Sequence, residues 1–265
     1  YPHLGTLLWG FFWKNSFLQY EYIGRFFYVF IYLLSIFSIC DQINKKEHVR
    51  ILVLTAIILV SYDNFLFKGY QETLIFSLLV FASKNFYKYI TKQNNIFLIV
   101  SFICINLVPW VKNEGYLFLI IFNASLLFMI KSFHKKQQII LFIVFSAILL
   151  IIKNYLFYKF LGINLFHGGN LDLLISFSDF SQYLLSVSLG FVVAILKYKI
   201  WIFILIGFYI LSKIKKIQIK DIIMINFLKI NLFLYFCLIL GIYFSVINHI
   251  YGINWWIDNS LDRII

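Results

Sequence analysis

NIFLIVSFICINLVPWVKNEGYLFLIIFNASLLFMI, residues 95–130, holds two apolar runs, 95–110 and 114–131, around a break where Lys112, Asn113 and Glu114 stand side by side. Apolar runs of roughly 15 to 20 residues separated by short polar breaks are the pattern of membrane-spanning helices. The same pattern recurs along the chain at 22–40, 49–66, 71–90, 139–157, 200–214 and 222–247. Of the 265 residues, 62% are hydrophobic and 13% charged, and the mean hydropathy is +0.89. A soluble chain of this length needs a charged skin over its core, which such a composition does not supply. The expected fold is therefore all-α: a polytopic integral membrane helical bundle of about eight spans forming one transmembrane domain over residues 1–265. Residues 3–14 are too short to cross, and residues 180–198 follow a polar loop and end in lysines, so both are expected to lie along an interface.

Charge sets the orientation. The loops 41–50, 84–95, 131–138 and 213–221 hold 13 of the 23 Lys and Arg but only three acids, Asp41, Glu47 and Asp221. The positive-inside rule makes these loops cytoplasmic. The alternate connections, 60–72, 109–115, 153–199 and 248–265, then face outward. The net charge of +12 is mostly topology, because the basic residues are spread over short loops with no aromatic interleaving in a soluble module, so no nucleic-acid partner is expected.

The outer face then gathers Glu21, Asp63, Glu72, Glu114, Asp172, Asp179, Asp258 and Asp262 with Arg25, Lys68, Lys112 and Arg263. Charged groups are costly in hydrocarbon, so those near a span end should face water or one another, as in a polar cavity opening outward. Pro109 is expected to close the incoming span, Asn113 to cap the next helix, and Glu114 to sit in its first turn, where the helix dipole favours a carboxylate. Glu72 has the same setting, so both acids also read as plain helix starts, and Lys112 as a side chain snorkelling to the interface. Spans beginning near 22, 71 and 114 point their N-termini outward, and their free N–H groups favour an anion such as phosphate. Arg25 would add a bidentate cation, or else pair with Glu21 on its own helix.

Four stretches, YPHLGTLLWG at the start, GYQETL at 69–74, KNEG at 112–115 and NSLDRII at the end, occur in an order and placement that resembles polyprenyl-phosphate-sugar-dependent glycosyltransferases of the GT-C superfamily. The chain is similar to bacterial members related to protein mannosyltransferases and aminoarabinose transferases. Tyr1, Pro2, His3 and Leu4 resemble the family's Pro-Pro-Leu type motif, with His3 in place of one proline. Arg25 resembles the arginine that opens the next span. Glu72, after Gly69 and Tyr70, stands where the family commonly has aspartate. Lys112, Asn113 and Glu114 match Lys-Asn-Glu-Gly, and Ser260, Asp262 and Arg263 match a terminal Ser-Leu-Asp-Arg.

The resemblance implies inverting transfer of a sugar from a polyprenyl-phosphate donor to a glycan, lipid or protein acceptor, at the outer face of a bacterial cytoplasmic membrane. Arg25, Lys112 and Arg263 would contact the phosphate. Glu72 or Glu114 would act as base or position the acceptor, with Tyr1, Pro2, His3, Tyr70, Asn113 and Asp262 shaping the pocket. In the family the principal catalytic acid lies in a first outer loop ahead of the Pro-Leu motif. The start at Tyr1, with no basic segment before it, leads us to expect a piece of a longer protein whose principal acid precedes Tyr1. No cofactor is demanded; a divalent metal is compatible with the gathered carboxylates, although no ligand spacing requires one.

The remaining features read blandly. Cys40, Cys104 and Cys237 are small hydrophobes, and His167 and His249 are loop histidines. Trp9, Trp13, Trp110, Trp255 and Trp256 read as interfacial anchors, with stacking on sugars as the alternative. The sequon Asn123-Ala124-Ser125 falls inside a span. The alternative function is a polytopic transporter or flippase of lipid-linked or small polar substrates, which would carry an internal repeat and midplane ionisable groups. Neither stands out in the sequence.

Overall fold

A computed structural model of the chain describes residues 22–43, 71–112, 115–133, 135–161, 188–189 and 219–245, and all regular structure among them is helical. The helices are α1 (Tyr22–Ile43), α2 (Gln71–Lys92), α3 (Asn95–Val111), α4 (Gly115–Phe128), α5 (Lys136–Leu161) and α6 (Ile219–Ser245), with a 3-10 turn at Ile130–Ser132. The expected spans 49–66 and 200–214, the stretch 3–14 and nearly all of 180–198 lie outside the described residues. The chain divides into two compact units, Tyr1–Leu165 and Phe166–Ile265.

In the first unit α2 and α3 form an antiparallel hairpin with a two-residue corner. Gln93 takes a left-handed φ of 56°, its N–H donates to the Tyr89 carbonyl at 2.8 Å, and Asn94 then caps α3 by accepting from the Ile96 N–H at 3.0 Å. Lys88 and Lys92 reach over the Phe97 ring near the corner, the Ser101 hydroxyl donates to the Ala82 carbonyl at 2.8 Å further along, and Lys112 meets Glu72 at the far end. The small residues Ala82 and Ser101 are both fully buried, which lets the two backbones approach closely.

The other helices of this unit align against the hairpin. Phe102 stacks edge-on with Phe142, Asn106 donates to Ser146 at 3.0 Å and Lys153 reaches Pro109, so α5 runs parallel to α3. Tyr116 pairs with Asn154 and Phe122 with Phe142, so α4 runs antiparallel to α5. Tyr32 packs on Phe76 and the Gln71 side chain lies beside the Tyr28 hydroxyl, which makes α1 parallel to α2.

Two ends of opposite character result. One holds Glu72, Lys112 and the N-terminus of α4. The other holds Lys88, Lys92, Lys131 and Lys135, where Lys135 donates to Asn95 at 3.2 Å and Tyr89 to Gln138 at 3.3 Å. The loops 84–95 and 131–138, grouped above by their lysines, share that end. It is closed by Phe86, fully buried with ring contacts to Phe122 and Phe133.

The interior of this unit is mostly apolar, with Ile36, Ala82, Phe86, Ile105 and Leu126 fully buried, but it also takes in polar side chains while many large apolar ones face outward. Ser77, Ser101, Ser125, Ser146, Asn106 and Lys153 point inward, while Phe26, Phe30, Ile99, Ile103, Ile120, Ile148 and Ile151 are exposed. The inward hydroxyls mostly bond within the bundle; Ser77, for example, donates to the Thr73 carbonyl one turn back at 2.9 Å. Lys136–Leu156 of α5 is long and apolar enough to cross a membrane, and only 22% of its most apolar 18 residues are buried inside the molecule. Its 21 residues rise about 31 Å, matching a hydrocarbon core of about 30 Å.

Several boundaries differ from the sequence reading by a few residues, and three have a clear local cause. Pro109 does not close its helix: it removes only the N–H bond to the Ile105 carbonyl, and α3 continues to Val111. The run expected to continue to residue 131 leaves the α-helix at Phe128 and tightens into the 3-10 turn, with Ser132 donating to the Met129 carbonyl at 2.8 Å. Finally, α5 begins at Lys136, because Lys136, Gln137 and Gln138 are all good helix formers.

In the second unit α6 is a 27-residue helix with Ile222, Leu228, Leu232 and Phe233 exposed and Asn231 donating to its own Phe227 carbonyl at 2.8 Å.

Candidate functional site

The site begins where α3 stops. Lys112 follows Val111 in extended geometry (φ −153°, ψ 155°), and its carbonyl accepts from the Gly115 N–H at 2.9 Å, so the chain reverses within four residues and starts α4. Gly115 is required by proximity: a Cβ there would collide with the Val108 carbonyl and the Pro109 nitrogen. This contact pins the N-terminus of α4 against the last turn of α3.

The extended Lys112 carries its ammonium to Glu72, with Nζ 2.9 Å from Oε1 and both side chains about one-third exposed (34% and 31%). Two residues forty apart, drawn from two separate sequence motifs, thus meet directly. Each charge also sits at the helix end whose dipole favours it, Glu72 in the first turn of α2 and Lys112 just past the end of α3. A half-exposed pair of this kind contributes about 1 kcal/mol or less, so it guides geometry more than it stabilises the fold. Lys112 therefore does not simply snorkel into solvent.

Beside the pair, α5 supplies a lysine that the sequence reading passed over. Lys153 is 1% exposed, its ammonium donates to the Pro109 carbonyl at 2.5 Å, and it lies 4.3 Å from the Tyr116 ring centroid and 5.5 Å from that of Trp110. Next to it, Asn154 accepts from the Tyr116 hydroxyl at 2.7 Å. The signal was present in LLIIKNYLF, residues 149–157, where a Lys-Asn pair interrupts an apolar run; an ionisable residue inside a span is a candidate functional residue by default. Trp110 thus faces a buried cation, whatever anchoring it also provides.

On the α1 side, Tyr28 is 2% exposed and its hydroxyl lies beside the Gln71 side chain. The sequon residues Asn123 and Ser125 lie in α4, with Asn123 Oδ1 and Ser125 Oγ buried and without hydrogen bonds to any described residue.

Among the expected site residues, Glu72 and Lys112 are brought together. Arg25 falls in the first turn of α1, with its side chain outside the described residues. Tyr1, Pro2, His3, Tyr70, Asn113, Glu114, Asp262 and Arg263 also lie outside them. Among the described residues no group of three His, Cys, Asp or Glu side chains is placed to hold a metal ion. No protein-family model, curated protein or solved structure matches the chain.

Proposed function

We propose that this chain is the helical core of a polytopic membrane glycosyltransferase that transfers a sugar, with inversion, from a polyprenyl-phosphate donor to an acceptor hydroxyl or amine at the outer face of a bacterial cytoplasmic membrane. The observation that carries the proposal is the meeting of Glu72 and Lys112 at the end of the first unit opposite its lysine-rich loops. Inward polar side chains and outward apolar ones support a lipid surround for the helices, and the four sequence stretches support the reaction class.

The chemistry follows from charge. A carboxylate, Glu72 or Glu114, accepts the acceptor's proton as its oxygen or nitrogen attacks the anomeric carbon. The bond to the lipid phosphate breaks, and the phosphate leaves with the electron pair. Lys112, with Arg25 and Arg263, offsets the charge growing on that phosphate. An arriving phosphate competes with Glu72 for Lys112, and its binding releases the Glu72 carboxylate to act on the acceptor.

The test is transfer in proteoliposomes with the full-length protein and a panel of polyprenyl-phosphate sugars. Glu72→Gln and Lys112→Gln are each expected to lower kcat/KM by roughly a hundredfold while insertion is unchanged, within the usual range for general-base and charge-stabilising groups. Unaltered transfer in both variants would reduce the pair to a tie between helix ends.

A further inference from the structure

We propose that Lys153 is a positioning residue: its ammonium caps the end of α3 from the neighbouring helix and thereby fixes where Lys112 leaves the helix to meet Glu72. The last four carbonyls of any α-helix lack intrahelical partners, and the helix dipole makes that end negative. In α3, which ends at Val111, the Pro109 carbonyl is one of these four, and the buried Lys153 ammonium donates to it. A cation supplied by a second helix thus fills the place that a capping glycine or a basic residue in the last turn often takes; α3 has no basic residue in its last turn.

The same stretch of α5 holds the far side of the turn. Tyr116, in the first turn of α4, lies under the Lys153 ammonium and donates its hydroxyl to Asn154. Lys153 and Asn154 therefore grip both shoulders of residues 112–115. This turn sets where the Lys112 side chain starts, since the Lys112 backbone is extended and its carbonyl is held by Gly115. Lys153 itself, at 1% exposure, acts through Lys112 rather than on a substrate. The assignment deepens the glycosyltransferase reading by naming what orients its phosphate-binding lysine, but the geometry is testable without any reaction.

In the full-length protein with native cysteines replaced by alanine, cysteines at positions 72 and 112 are joined with a short bis-thiosulfonate reagent, and a pair at 88 and 97, at the opposite end of the same two helices, serves as control. Lys153→Met keeps the aliphatic stem and is expected to slow cross-linking of the 72/112 pair about fivefold while the 88/97 pair is unchanged. Tyr116→Phe, which removes one hydroxyl and leaves the packing, is expected to slow it about twofold, and it serves if Lys153→Met does not insert. An unchanged 72/112 rate, or an equal fall in both pairs, overturns the assignment. In the transfer assay Lys153→Met is expected to raise donor KM more than it lowers kcat. If the wild-type protein transfers no sugar, the enzymatic reading fails while the cross-linking result still decides the role of Lys153.

Discussion

Gln93 shows how one residue sets a hairpin. Its positive φ costs a non-glycine residue about 1 kcal/mol, and its side-chain amide recovers part of that by donating to the Ile90 carbonyl at 3.0 Å. Gln93→Ala keeps the strain and loses the bond, so it is expected to destabilise the protein by about 1 kcal/mol, whereas Gln93→Gly should be nearly neutral. Denaturation in detergent, comparing the two variants, checks the difference. Gly115→Ala is a harsher change, because the clash is with main-chain atoms that cannot turn aside. It is expected to cost about 2 kcal/mol or more and to lengthen the Lys112–Glu72 separation, read as slower cross-linking between positions 72 and 112.

At the scale of elements, the hairpin of α2 and α3 rests on small residues. Ser101→Leu would force the helices apart where the hydroxyl now meets the Ala82 carbonyl, and is expected to cost about 2 kcal/mol, seen as a lower unfolding midpoint in detergent. The helices themselves were largely legible: the apolar runs at 71–90 and 95–110 became α2 and α3 within two residues, because length and hydropathy alone define such segments. The pairing of Glu72 with Lys112 was legible only as a shared end, since spacing says which face a residue nears and not what it touches. Lys153 was visible as a lysine within an apolar run, but what it does was not, because its partner is a backbone carbonyl, which has no identity in a sequence. Pro109 misled for a related reason: proline removes one bond, and in the last turn of a helix that loss is too small to end it.

For the whole molecule, the distribution of polar and apolar side chains makes its own prediction. If lipid surrounds the helices, single cysteines at Ile148 and Ile151 on the outward side of α5 should react with lipid-soluble maleimides and resist charged ones. Cysteines at Lys88 and Lys135 should react with a charged reagent only from the cytoplasmic side, and one at Lys112 only from the other. Labelling of Lys88 and Lys112 from the same side would remove the outer cavity and with it the glycosyltransferase reading. The pinned join of α3 to α4 also bears on biogenesis. If α3 and α4 span a bilayer, two helices locked at their tip by Gly115 are suited to enter it as one hairpin, carrying their turn through hydrocarbon ahead of them. Lys112 and Glu114 at that tip would then each add to the crossing barrier, the lysine by roughly 3 kcal/mol, so the turn that aims Lys112 would also be the costliest part of the hairpin to carry across.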